Sequence, residues 1–210
     1  MSHFDSLITI LTILATAAMA ASAAIQGARQ EFDPFGAIVL AVVTAVGGGT
    51  MRDILIGATP VFWLRDMTYL ATAVPVGAIT YFLAPKLKKG NGRRLRLLNY
   101  LDAIGLALFT LVGIQVALAH DLSTLSAIVL GCITGIAGGM VRDMLCGLQP
   151  AILKQDLYAT ISLIGGVLYV FGRDNMPEEV SLGLCFIFIT LLRSLVIYRS
   201  GQNTGSPDRP

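Results

Sequence analysis

The chain has 210 residues, 55% hydrophobic and only 13% charged, with a formal net charge of +2 and a mean hydropathy of +0.74. Such values lie far outside soluble globular averages and leave a membrane protein. They exclude a soluble domain of any size, and no nucleic-acid partner is expected.

A helix crossing a hydrocarbon core of roughly 30 Å needs about 20 apolar residues. Seven apolar runs are read as spans, near residues 6–27, 34–58, 67–84, 97–118, 123–147, 157–172 and 180–198. The predicted fold is therefore an all-α integral membrane protein with seven transmembrane helices. The first run contains "AMAASA", which resembles a signal-peptide cleavage region, but "MSHFD" lacks the Lys or Arg of an n-region, so the run is read as a span. The second run is interrupted by "AVGGGTMRDIL", with Gly47, Gly48, Gly49, Arg52 and Asp53. Between the third and fourth runs lies a basic linker, residues 86–96, with Lys86, Lys88, Lys89, Arg93, Arg94 and Arg96. The positive-inside rule places it in the cytoplasm, with the N-terminus outside and the C-terminus inside. The same cluster suits anionic lipid headgroups, so bound lipid is an expectation. Asp102, at the start of the fourth run, reads as an interfacial residue on the cytoplasmic side. The seventh helix reads as a peripheral addition, and residues 200–210, "SGQNTGSPDRP", as a solvated tail.

Residues 37–66 align with 127–156 at a constant offset of 90, with thirteen identities in thirty positions. They include Thr44/Thr134, Gly48/Gly138, Gly49/Gly139, the Arg52-Asp53 and Arg142-Asp143 pairs, Gly57/Gly147, Pro60/Pro150 and Asp66/Asp156. Two repeats follow, residues 1–85 and 97–173, with the seventh helix over 174–199. Three spans per repeat force the second to enter the membrane from the opposite side. Inverted repeats of this kind carry solute or ion sites at their interface.

Gly47, Gly48 and Gly49, with Gly138 and Gly139, are expected to break the second and fifth helices, freeing backbone groups beside Thr44 and Thr134 to line a pathway. The competing reading is that glycines simply permit close helix packing. Arg52, Asp53, Arg142 and Asp143 lie about a turn beyond the glycines. They either pair to lock the helix ends or ring the pathway mouths and select charge. Cys132, Cys146 and Cys185 lie in apolar runs without ligand spacing and read as buried thiols, so no fixed metal is expected. His3 and His120 lie outside the spans, and no GxSxG, HExxH or GxxxxGK[ST] motif is present, so neither an enzyme nor a resident cofactor is expected.

Two "GGxxxRD"-like motifs, a three-plus-three inverted repeat and a seventh helix resemble the trimeric intracellular cation channel (TRIC) family. The likeness is to prokaryotic members, whose repeated domain also carries the label "glycine transporter". The resemblance implies a homotrimer in a prokaryotic plasma membrane, with one pore per protomer lined by the second and fifth helices and conducting K+ or Na+. Animal members carry a Lys-Glu-Val motif where this chain has "RDI", which retains the charge order. The small-residue stretches "ATAAMAASAA" and "AIGLALF" of the first and fourth helices suit the trimer contact. By physics alone, broken helices in inverted repeats slightly favour a secondary transporter of a small solute such as glycine, working by alternating access, and it is the family resemblance that favours a channel.

Overall fold

The computed structural model describes residues 3–86, 93–154 and 157–203. Lys88 and Lys89 of the basic linker, Asp156 and the end of the tail lie outside these residues, as do the side chains of His3 and Lys154. The helices are α1 (His3–Arg29), α2 (Pro34–Leu55), α3 (Phe62–Arg65), α4 (Thr68–Leu83), α5 (Arg93–Ala119), α6 (Thr124–Leu145), α7 (Ala151–Lys154), α8 (Tyr158–Arg173) and α9 (Glu178–Asn203). Among the described residues six are long and apolar enough to cross a membrane: α1, α2, α4 with the turn that follows it, α5, α6 and α9. The expected sixth span is α8, a shorter apolar helix of 16 residues. At about 1.5 Å per residue it reaches roughly 24 Å, less than a hydrocarbon core of about 30 Å.

Each half contains the same sequence of elements, α1–α4 and α5–α8, and both include a four-residue helix, α3 or α7, that the apolar pattern did not reveal. The repeat extends to the backbone. Gly57 (φ 70°) and Gly147 (φ 65°) occupy the left-handed position that ends α2 and α6. There the N–H groups of Ala58 and Leu148 donate to the carbonyls of Asp53 and Asp143, both at 2.8 Å. A side chain would be strained at either glycine, which accounts for the identity of this pair across the halves. At the other end, α2 begins with Asp33 accepting from the Gly36 N–H at 2.7 Å, followed by Pro34 at the first helical position. In α6 the cap is Ser123, accepting from the Ser126 N–H at 3.2 Å.

Equivalent helices pack antiparallel. On α2 and α6, Gly48 lies against Thr134 while Gly138 lies against Thr44. On α1 and α5, Met19 lies against Gly105 while the Ser22 hydroxyl donates to the Leu98 carbonyl at 3.4 Å. Opposed directions for equivalent helices are what an inverted repeat requires.

The expected helix breaks are absent. Both α2 and α6 are continuous through Gly47, Gly48 and Gly49 and through Gly138 and Gly139. Three interior glycines cost roughly 3 kcal/mol of helix propensity. Opening the helix would leave several backbone groups unpaired in hydrocarbon at several kcal/mol each. The helical hydrogen bonds therefore persist, and the glycines serve approach instead. A Cβ built on Gly48 would overlap the Thr134 carbonyl oxygen, and one on Gly138 would lie 2.6 Å from the Thr44 carbonyl oxygen. The two backbones touch at both points.

The small residues of α1 are likewise used within one chain. Ala15, Met19, Ala20, Ala23 and Ala24 are fully buried and form one core with α2, α4 and α5. On α5, Ala103, Leu106 and Ala107 are equally covered. These faces therefore pack within the protomer and are not available for the trimer contact expected of them. A second core joins α5, α6, α8 and α9, through Leu111, Ile114, Ile161, Tyr169 and Ile189.

Gly48→Ala and Gly138→Ala should each force α2 and α6 apart and lower stability by roughly 1–3 kcal/mol, as overpacking does. Gly183→Ala in α9, where an added Cβ meets nothing within 4 Å, should not lower the melting temperature in detergent and should raise stability by up to about 1 kcal/mol.

Candidate functional site: two buried arginine–aspartate centres

The four charges predicted beside the glycines are all buried, Arg52 and Asp53 at 3% exposure each, Arg142 at 2% and Asp143 at 6%. Each arginine folds onto the carboxylate that follows it. Arg52 donates from Nε and Nη2 to Asp53 Oδ1 at 2.9 and 2.7 Å. Arg142 donates from Nε to Asp143 Oδ1 at 2.9 Å, and its Nη2 lies 2.9 Å from the same oxygen. Successive helical residues do not normally face one another. A third group makes this geometry possible, because the second carboxylate oxygen takes the backbone N–H that begins the short helix beyond. Asp53 Oδ2 accepts from the Phe62 N–H at 2.6 Å and Asp143 Oδ2 from the Ala151 N–H at 3.0 Å. Each aspartate thus ties the end of a long helix to the start of a short one.

Beyond this shared core the two centres differ. The Arg142 centre is polar throughout: Nη1 donates to Asp102 Oδ1 at 2.7 Å and to Ser22 Oγ at 2.6 Å, while the Tyr158 hydroxyl donates to Asp102 Oδ2 at 2.6 Å. Arg193 of α9 lies with Cζ 4.4 Å from the centre of the Tyr158 ring. One guanidinium against two carboxylates leaves a deficit of one positive charge, which Arg193 offsets. At the Arg52 centre an aromatic group takes the place of this network. The Phe62 ring lies with its centre 5.4 Å from Arg52 Cζ and meets Tyr69 edge-on at 4.7 Å. Thr12 stands at the repeat position of Asp102 and donates only to the Ile8 carbonyl, at 2.7 Å.

The second glycine of each pair makes room for these different fillings. A Cβ on Gly139 would lie 3.0 Å from Asp102 Oδ1 and 3.2 Å from the Tyr158 hydroxyl. One on Gly49 would overlap the Phe62 ring. Gly47 faces the Cα of Gly138. Between the two centres, Thr44 and Thr134 are fully buried at the crossing. Thr134 Oγ1 donates to the Leu130 carbonyl at 2.7 Å, whereas Thr44 Oγ1 has no hydrogen-bond partner among the described residues.

Two sequence expectations change. Asp102 is a buried partner of Arg142, not an interfacial residue, and α9 inserts a buried arginine beside Tyr158 instead of merely covering the periphery. Asp102 and Arg193 both carried a usable signal, an ionisable group inside an apolar run. Phe62, Ser22 and Tyr158 carried none, since single aromatic and hydroxyl residues are ordinary in such helices.

Residues 9–85 and 99–174 match the family described as "Glycine transporter". A UPF0126 membrane protein of Vibrio cholerae is 42% identical over 89% of this chain and 77% of its own length. The UPF0126 inner membrane protein YadS of Escherichia coli is 37% identical over 91% and 92%. Among solved structures, the trimeric intracellular cation channel orthologue from Rhodobacter sphaeroides superposes with a TM-score of 0.86 at 33% identity, over 93% of this chain and 99% of that one. The chain belongs to the TRIC family. A prokaryotic TRIC channel crystallised in 0.5 M KCl gives a TM-score of 0.87 at 29% identity.

In this TRIC-family chain the Arg142 centre has more to lose than its twin. Arg142→Gln leaves two buried carboxylates short of their guanidinium and should cost about 3–5 kcal/mol. Arg52→Gln leaves one carboxylate that still accepts the Phe62 N–H. A larger fall in melting temperature for Arg142→Gln, in the same detergent, is the expected order; the reverse would show that the additional partners add nothing.

Proposed function

We propose that the protein is a monovalent cation channel conducting K+ and Na+, a homotrimer in which each protomer has its own pathway along α2 and α6. One observation carries this reading. Two buried arginine–aspartate centres stand at the two ends of an antiparallel helix pair, in a fold that superposes on channels whose names state a trimer and cation conduction. Charges at such depth are expensive unless paired or set beside a pathway. In this reading the tight contact of Gly48 with Thr134 and Gly138 with Thr44 is the closed point. The Thr44 hydroxyl beside it, which has no hydrogen-bond partner among the described residues, is an oxygen available to a dehydrating cation. K+ or Na+ is then cargo, and no resident cofactor enters the reading.

The membrane is a prokaryotic plasma membrane, with residues 86–96 in the cytoplasm and the N-terminus outside. Labelling of an introduced cysteine, Asn91→Cys, from the cytoplasmic face only is the expected result.

A second reading is favoured by the family description: alternating access for a small solute such as glycine. The antiparallel halves and the sealed crossing would serve it equally. Recording from the purified protein in a planar bilayer separates the two. Unitary currents that reverse near the K+ potential in a KCl gradient are expected, and solute counterflow without unitary current would sink the channel. Asp53→Asn, which leaves Arg52 without its carboxylate, or Asp143→Asn, which leaves Arg142 with Asp102 alone, should lower cation-over-anion permeability several-fold. Unchanged selectivity in both, with trimer intact, would put the pathway elsewhere.

A further inference from the structure

The two ends of the α2–α6 pair are built from the same motif but are closed by different materials. Over Gly139 lie the Asp102 carboxylate and the Tyr158 hydroxyl, both polar. Over Gly49 lies the Phe62 ring, in such close contact that a side chain on Gly49 would overlap it. That ring also lies beside the Arg52 guanidinium and packs edge-on against Tyr69. Phe62 is half-buried while Arg52 and Asp53 beneath it are buried, so the ring forms part of the cover between this centre and the outside of the protein.

Phe62 belongs to α3, which is only four residues long and is held at two points. Its first N–H donates to Asp53 Oδ2 at 2.6 Å, and Trp63 Nε1 donates to Thr50 Oγ1 at 2.9 Å. Both acceptors belong to α2, on the turn that follows Gly49. On its other side α3 is exposed, at Leu64 and Arg65. A short helix, gripped by two hydrogen bonds and carrying an aromatic ring over a buried charge, is the form of a hinged cover.

We infer that α3 is a lid over the Arg52 end of the pathway, with Phe62 as its stopper and the Asp53 carboxylate as its latch. This rests on the channel reading above and adds where one mouth closes. Asp53 cannot release α3 without also freeing a lone pair beside Arg52, so lid position and mouth charge are coupled through one carboxylate. At the Arg142 end the matching short helix, α7, carries no aromatic residue, and Tyr158 of α8 presents its hydroxyl, not its ring face, to Gly139. The lid therefore makes the two mouths unequal.

Trp63 is the only tryptophan in the chain, so its fluorescence reports α3 without requiring conduction. Iodide quenching and bilayer current are to be measured on the purified trimer for wild type, Phe62→Ala, Thr50→Val and the exposed control Leu64→Ala. Phe62→Ala should raise the current at equal protein by severalfold. Thr50→Val, which removes the Trp63 acceptor, should raise quenching and current together, and Leu64→Ala should change neither. Quenching that rises without current in Thr50→Val, or a current in Phe62→Ala no greater than wild type, overturns the lid. If the Asp143→Asn selectivity change is still present, the pathway along α2 and α6 survives that failure. If it too is absent, the channel reading has failed rather than the lid alone.

Discussion

Everything in this protein is arranged around the contact between two backbones. Gly48 and Gly138 let α2 and α6 approach until each carbonyl of the threonine pair lies against the opposite helix. In lipid there is no hydrophobic force between helices, so association depends on packing and on polar contacts. Close approach without side chains gives the largest packing gain per residue. The contact is reciprocal, 48 with 134 and 138 with 44, which fixes both register and antiparallel direction. With that register set, Arg52 and Arg142 are carried to opposite ends of the pair.

The charged centres then join the remaining elements to this axis. Each aspartate receives an arginine on one oxygen and a backbone N–H on the other. A buried ion pair gains little net stability over an apolar replacement, because desolvation offsets attraction. Its value here is directional, since it holds α3 and α7 at set positions against the helix ends. The two halves carry the same scaffold and differ in what fills it. Thr12 and Asp102 occupy equivalent positions, yet only the second carries a charge, and with it come Tyr158 and, from outside the repeat, Arg193.

That difference gives α9 a role in the structure. Asp102 is a second buried carboxylate beside Arg142, and a buried charge in an apolar bundle calls for compensation. α9 packs on α5 and α8 and brings Arg193 to the face of Tyr158. An aromatic face accepts a guanidinium more readily than an ammonium, because the planar group is weakly hydrated and stacks.

From the sequence alone came the membrane class, the order of the apolar helices, the repeat and its necessary inversion, and the four charges at the centre of the site. These are properties of composition, run length, periodicity and parity, all of which are local or countable along the chain. Tertiary structure decided what the glycines do, since a glycine that permits a break and one that permits contact are the same residue until its neighbour is known. Continuous helices through Gly47–Gly49 resolved that in favour of contact. It also decided the partners of Arg142, because Ser22, Asp102 and Tyr158 are 120, 40 and 16 positions away and meet only when α1, α5, α6 and α8 have packed. α3 was unreadable for the same reason: four residues are too few for a helical period, and what holds them is the carboxylate of Asp53, nine positions earlier.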